Sequence, residues 1–317
     1  MQKHHLALAL IVAAAAGGFL GWSRREAAVT PAHASPRCQL SATAGEHPGM
    51  VWVPGGRFTM GSDAGFPEEG PAVATQVTGF WMDQTEVTNA QFAEFVAATG
   101  YRTLAESAAI GGSAVFRPHG DAAAMRAFVN WWQFMPGANW RQPDGARTSL
   151  HGMENHPVVH VAYEDALAYA KWKGRTLPTE EQFEFAAGSS ARRNAAGAWT
   201  ANTWQGSFPA LNTAADGFAG TAPVGCFEAS KLGLYDLIGN VWEWTTSFYY
   251  PRHDSTRADH PQGFDPAQPE EAAVAVLKGG SYLCSPDYCM RYRPEARIGQ
   301  SRGLGTSHIG FRTVLNP

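Results

Sequence analysis

Between residues 189 and 317 the apolar runs are short and separated by Gly, Pro, Asn and Asp. No helical or strand period survives such punctuation for long. A chain of this kind builds its second half from turns and structured loops around short strands. Gly and Pro number 34 and 20 in 317 residues, above the roughly 12% of average usage. Charged residues fall to 16%, against about 25% in ordinary domains. Eleven Trp and 17 Phe supply core volume instead. A coiled coil, a helical repeat and a disordered chain are all excluded by this mixture. The net charge of −4, with no basic cluster, argues against a nucleic-acid partner.

The first half carries clearer local signals. Met50-Val51-Trp52-Val53 before Pro54-Gly55-Gly56 reads as a strand entering a turn, with Arg57 to Gly61 as its hairpin partner. Thr88 caps a helix through Phe92, Phe95 and Val96 that stops at Gly100. A second helix opens at Tyr163-Glu164-Asp165 and ends at Gly174. Thr179 and Gln182 form a capping box for a third, which ends at Gly188. The expectation is one α+β domain with a modest twisted sheet and long loops, spanning residues 48–317.

Residues 6–22 are uncharged and apolar, behind Lys3, His4 and His5. A membrane-spanning helix needs about 20 such residues. Residues 1–25 therefore read as a signal peptide or a retained membrane anchor, and residues 26–47 as a flexible tether. Ala32-His33-Ala34 resembles a cleavage site but lies well beyond the apolar run, which favours retention. Either reading places the globular part outside the cytoplasm, in the periplasm or beyond, held at the inner membrane if the anchor stays.

Four cysteines occur, at positions 38, 226, 284 and 289. Cys284 and Cys289 bracket Ser285-Pro286-Asp287 and read two ways: a structural disulfide, or a short-loop chelate for a soft ion. Structural zinc prefers four ligands and finds no further Cys or His nearby. Two thiolates suit Cu(I), and Arg291, Arg293 and Arg297 favour the thiolate by charge. Two other stretches, Asn202-Thr203 with Asp216-Gly217-Phe218, and Asp236 to Glu243, mix carboxylates, amide oxygens and Gly as calcium loops do. The same residues also build ordinary turns. His156 and His160 read as one strand, which separates them by roughly 13 Å and prevents a shared ion. They are expected to satisfy core hydrogen bonds. Nucleophile-elbow, phosphate-loop and dinucleotide motifs are absent from the sequence.

Longer motifs identify a family. Pro54-Gly-Gly-Arg-Phe-Thr-Met-Gly61, Glu86-Val-Thr-Asn89, Gly137-Ala-Asn-Trp-Arg141, Arg175-Thr-Leu-Pro-Thr-Glu-Glu181, Asn202-Thr-Trp-Gln-Gly206, Gly239-Asn-Val-Trp-Glu-Trp244 and His308-Ile-Gly-Phe-Arg312 follow one another in order. With Cys284 and Cys289 in their Gly-Gly-Ser-Tyr-Leu-Cys and Tyr-Cys-Met-Arg-Tyr-Arg frame, the chain resembles the formylglycine-generating enzymes of the sulfatase-modifying factor family, in their bacterial branch. The two extra disulfides of eukaryotic members are missing, because Ala170, Ala187, Pro294 and Thr313 stand at those positions.

The resemblance implies an irregular, C-type-lectin-like α+β fold, low in regular structure. It implies a Cu(I)-dependent oxidase that uses O₂ to convert the Cys of an unfolded sulfatase segment, Cys-x-Pro-x-Arg, to formylglycine. Copper would be held by Cys284 and Cys289, with the substrate thiolate as third sulfur ligand. Ser281, Tyr288 and Trp242 would line the oxygen and substrate pocket. One calcium ion would be held by Asn202, Thr203, Asp216 and Phe218, and a second by Asp236, Gly239, Val241 and Glu243, partly through carbonyls. His308 stands where some members have Asn. Cys226 lies outside the motif and reads as a free thiol or a partner of Cys38. Two other readings remain: a noncatalytic lectin-like module using Cys284–Cys289 only as a disulfide, and a related oxidase acting on another thiol.

Overall fold

The computed structural model describes residues 46–118, 131–145, 148–255, 258–271 and 273–317, together with Cys38 and Leu40. The expected signal or anchor at residues 1–25, and nearly all of the expected tether at 26–47, lie outside the described residues. The body belongs to a compact unit, Pro36–Pro317.

The three α-helices among the described residues form where capping chemistry calls for them. In α1 (Asn89–Thr99) the Thr88 hydroxyl accepts from Gln91 N at 3.2 Å, and Gln91 Oε1 accepts from Thr88 N at 2.9 Å. Gly100 closes the helix at φ 68°, a left-handed conformation that costs glycine little. α2 (Tyr163–Trp172) is opened by Asp165, whose Oδ2 accepts from Ala162 N at 2.9 Å. α3 (Glu180–Ala187) repeats the reciprocal box, between Thr179 and Gln182. No helix follows α3 among the described residues, in line with the loss of period after residue 188. None of the described helices is long and apolar enough to cross a membrane.

The strands pair differently from the simplest reading of the sequence. β1 (Met50–Val53) and β2 (Gly56–Met60) do not form a hairpin together. β1 pairs antiparallel with β4 (Phe80–Asp83), whose other edge takes β11 (Val314–Leu315); β2 pairs with β3 (Val73–Val77). Between β1 and β2 the chain passes through Gly55, where a Cβ would lie 2.5 Å from the Val77 carbonyl oxygen. That close approach lets the chain leave one sheet and enter another within two residues. β5 (Gly112–Phe116) and β6 (Trp132–Pro136) form a separate ribbon. The remaining sheet has the order β10-β7-β8-β9, from β7 (Trp242–Phe248), β8 (Val274–Lys278), β9 (Arg297–Ser301) and β10 (Ile309–Gly310). Every residue of β8 is buried.

The His156–His160 segment is not a regular strand. Pro157 makes a single bridge to Thr88, and His160 sits at φ 61°. Their separate hydrogen bonds are as expected: His156 Nδ1 to the Thr221 hydroxyl at 2.9 Å, and His160 Nδ1 to the Ser113 hydroxyl at 2.8 Å.

The main core is aromatic. Phe92 is fully buried, with ring centroids of Trp140 at 5.1 Å, Phe95 at 5.4 Å and Phe311 at 6.3 Å. Each buried ring of this size contributes about 1.5–3 kcal/mol by leaving water. The cluster reaches Trp242, Cys284 and Cys289, so the thiols sit at its margin. Three ion pairs are buried beside it. Arg297 holds the Glu180 carboxylate with two hydrogen bonds, Lys278 holds Glu184 at 2.8 Å, and Arg312 holds both oxygens of Glu243 at 2.8 Å. Cys38 forms a disulfide with Cys226 across 188 residues, which resolves the two readings of Cys226.

Candidate active site

The cysteine pair is shaped by the backbone around it. Beyond β8, Gly279 and Gly280 both take positive φ, 92° and 76°. At Gly280 a side chain would meet the Arg291 carbonyl oxygen at 2.3 Å, so the incoming and outgoing strands of the loop touch there. Cys284 N donates to the Ser281 carbonyl at 2.9 Å, and Cys289 N to the Ser285 carbonyl at 3.0 Å. The Ser285 hydroxyl donates to Asp287 at 2.6 Å and tightens the turn. The result is two buried free thiols with sulfurs 2.9 Å apart.

The two thiols are electrostatically unequal. Burial, and the hydrogen bond it makes to its neighbour, push Cys284 well above the ordinary thiol range. Accepting that hydrogen bond holds Cys289 at about 7, helped by Arg291. Cys284 therefore keeps its proton to higher pH than Cys289, and Cys289 is the thiol that ionises first. Of the three neighbouring arginines, only Arg291 serves the thiols. Arg293 pairs with Glu69 and Glu295, and Arg297 is spent on Glu180.

A cleft of about 540 Å³ opens over the pair. Ser281, Trp242 and Tyr288 line it. Trp242 is buried, and its backbone N–H donates to the His308 carbonyl at 2.9 Å. Tyr288 is 45% exposed and stands at the rim. Its ring stacks on Phe208 at 4.5 Å and 5°, and meets Trp131 edge-on at 4.7 Å. Phe116 and Trp132 continue this aromatic wall, and His308 packs on Trp132 at 4.7 Å. His308 Nδ1 bonds the Thr306 hydroxyl at 2.9 Å, and burial with His160 nearby holds the ring neutral at about 3. Sequence reasoning missed Phe116, Trp131, Trp132 and Phe208. They come from three separate segments and share no spacing.

Two soft donors side by side, open on one face, fit Cu(I). They do not fit structural zinc, which closes its shell with four ligands. Among the described residues no group of three or more His, Cys, Asp or Glu is arranged to hold a metal.

The residues named for calcium fall into two neighbourhoods. In the first, Asp216 accepts from Thr203 N at 2.9 Å, Phe218 N at 3.0 Å and the Gln205 amide at 2.6 Å. The same Gln205 amide donates to the Thr203 carbonyl, and buried Asn202 Oδ1 lacks a hydrogen-bond partner. In the second, the Glu243 carboxylate is engaged by Arg312, and Asp236 Oδ2 accepts from Gly225 N at 2.7 Å. Gly239 is packed against the Asn202 backbone, and its N–H donates to Gly279. Val241 is buried in the segment between them. Asp236 Oδ1 and Glu86 Oε2 lack partners. Glu86, which sequence reasoning quoted only as part of a motif, lies with Asp236 and Glu243 around Arg312. Burial, then Asp236 and Glu243, push its carboxyl well above the usual range.

Residues 37–317 match the family description "Sulfatase-modifying factor enzyme 1-like domain". The chain is 46% identical to the formylglycine-generating enzyme of Mycobacterium tuberculosis, over 84% of this chain and 98% of that one. It is also 39% identical to the inactive C-alpha-formylglycine-generating enzyme 2 of Mus musculus, over 87% and 88% of the two chains. Among solved structures, PvdO from Pseudomonas aeruginosa superposes with a TM-score of 0.56 at 22% identity, covering 84% of this chain and 93% of that one. This last likeness speaks for the fold alone.

The acid cluster generates a pH prediction. Burial raises the Asp236 carboxyl to about 6. A folded-state value above the unfolded one means that the folded chain holds the proton more tightly. This group's contribution is therefore full below about pH 4 and is lost as pH rises through about 6. In chelator-treated protein, Asp236→Asn keeps the acceptor for Gly225 and removes the titration. Its urea midpoint should gain on wild type between about pH 5 and about pH 7.5. A difference between the two proteins that stays constant with pH would contradict this reading.

Proposed function

The chain belongs to the formylglycine-generating enzyme family, and we propose that it acts as a copper-dependent oxidase on an unfolded Cys-x-Pro-x-Arg segment of a sulfatase. The product is formylglycine in place of the cysteine, and O₂ is the oxidant. The observation that carries the reading is the buried pair of free thiols, Cys284 and Cys289, at the foot of an aromatic cleft. A disulfide-only role for the pair, as in the lectin-like alternative, would leave this cleft without chemistry.

Cys284 and Cys289 would hold the copper. Copper(I), when bound, would supply a soft acceptor for a further thiolate and a one-electron path to O₂; of the four electrons that take O₂ to water, two come from the substrate carbon and two from an external thiol reductant, and the substrate sulfur leaves as sulfide. The residues around it do the rest. Any proton still on the pair leaves as copper binds, since only thiolates serve as ligands. Ser281 offers a buried hydroxyl at the cleft floor, which orients the substrate cysteine. Tyr288, stacked on Phe208, forms a wall against which an extended peptide lies, and Trp242 closes the back. His308, held neutral with Nδ1 on Thr306, offers hydrogen bonding without a charge. Excluding water from this aromatic cleft protects the reacting centre from side reactions.

Calcium is proposed as a structural ion at the Asn202, Thr203, Asp216 and Phe218 loop. The partnerless Asn202 oxygen and the convergent Thr203 and Asp216 oxygens support it. For the second set, the partnerless oxygens of Asp236 and Glu86 support a cation, while the Arg312 bond to Glu243 weighs against that residue as a full ligand. Export across a membrane is proposed from the apolar amino-terminal segment. The Cys38–Cys226 disulfide supports it, because such bonds persist in oxidising compartments. Attachment through that segment to the inner membrane follows the same reasoning.

Two measurements check these proposals. Reduced protein loaded with copper, given a Cys-x-Pro-x-Arg peptide, O₂ and a thiol reductant, should shift the peptide by the mass of thiol replaced by aldehyde. Cys289→Ser should lose turnover, and Ser281→Ala should slow it with copper still bound. A peptide that binds but keeps its mass would turn the assignment toward the noncatalytic module. Adding calcium at about 100 times its dissociation constant should stabilise chelator-treated protein by about 2.7 kcal/mol per site. A melting curve indifferent to calcium would remove both sites.

A further inference from the structure

We propose that Arg291, fixed in place by Glu68 and Phe66, is the counter-charge of the Cys284–Cys289 centre and sets how tightly that centre holds copper(I). The proposal rests on the copper reading above and goes one step past it, from the ligands to the residue that makes their charge tolerable.

The charge count comes first. Two thiolates and one Cu(I) carry a net charge of −1, and a substrate thiolate makes it −2. An anion in a buried site is costly unless an opposite charge accompanies it. Among the described residues lining the cleft, Arg291 is the one cation, and none is a carboxylate.

The geometry places that cation rigidly. Arg291 follows Cys289 by two residues, and its carbonyl is packed against Gly280, where no side chain fits. Its Nε donates to Glu68 Oε1 at 3.1 Å, and Nη2 donates to the same oxygen. The Phe66 ring lies 4.1 Å from the guanidinium carbon. So held, the side chain lines the same cleft as Cys284 and Cys289. Glu68 and Phe66 belong to a turn more than 200 residues earlier in the chain. They act on the centre only through Arg291, as positioning residues.

Arg293 supplies an internal control. It docks the same turn through Glu69, which is fully buried, yet it does not line the cleft. Loss of Arg293 disturbs the turn without removing the cation at the sulfurs.

The test is competition for copper(I) between the reduced protein and a chromogenic chelator such as bathocuproine disulfonate, with melting temperatures measured alongside. Arg291→Gln should weaken copper(I) affinity by about tenfold or more. Arg291→Lys should recover part of the loss, as a charge without the planar fork. Arg293→Gln should lower the melting temperature and leave copper affinity at the wild-type value. Wild-type affinity in Arg291→Gln would overturn the proposal. An equal loss in Arg293→Gln would also overturn it, by showing that docking of the turn is what matters. Failure of wild type itself to compete for copper(I) would instead reject the copper reading on which the proposal stands.

Discussion

Buried ion pairs do for the loop-rich half of this chain what regular hydrogen-bond ladders do elsewhere. α3 presents Glu180 and Glu184 one turn apart, and the two carboxylates take Arg297 from β9 and Lys278 from β8. Glu243 on β7 takes Arg312, which also donates to the Tyr235 carbonyl at 3.0 Å. Glu184 reaches further and accepts from Gly61 N at 2.6 Å. Breaking such a pair by removing one partner typically costs about 3–5 kcal/mol, because the other charge stays buried. The pairs therefore act as fixed points, and segments with no period of their own are positioned by them.

The loop that carries Cys284 and Cys289 hangs from this frame. β8 delivers Lys278 to its ion pair, and the next two residues are the glycines that turn the chain toward Ser281 and Cys284. β9 begins at Arg297, the other fixed point, so the loop of residues 279–296 is clamped at both ends. Within that clamp the Ser285 turn brings the sulfurs together, and burial makes their protonation unequal. The cleft above them is assembled from the β5–β6 ribbon, the loop at Phe208 and the start of β7. No one of these elements would form a site alone.

Much of this was legible in the sequence, for reasons that can be named. α1 and α3 carry their signals locally: a Thr with Gln three residues on, apolar residues at helical spacing, and a closing Gly. The cysteine frame is also local, so Cys284, Cys289, Ser281 and Tyr288 could be placed before any fold was known. Pairing between distant segments was not legible. β1 and β2 are separated by a turn-like Pro-Gly-Gly, yet each finds its partner beyond residue 70, because close packing at Gly55 redirects the chain. The sequence around His160 has the pattern of a strand, but its backbone is left-handed where it meets Thr306. The aromatic wall draws Phe116, Trp131, Trp132 and Phe208 from segments without common spacing. Glu86 lies inside a recognisable motif, and only the fold reveals that it faces Asp236. The same holds for the division of labour among Arg291, Arg293 and Arg297, which are equivalent in sequence and distinct in space.

The proposed copper(I) site at Cys284 and Cys289, completed by the substrate's own thiol, is open to X-ray absorption at the copper edge on reduced, copper-loaded protein. The expected first shell is sulfur alone, from two cysteines; it gains one further sulfur when a Cys-x-Pro-x-Arg peptide is added and gains none with a Ser-x-Pro-x-Arg peptide. A shell containing nitrogen or oxygen donors in place of the cysteines, or one that the Cys peptide leaves unchanged, would contradict it.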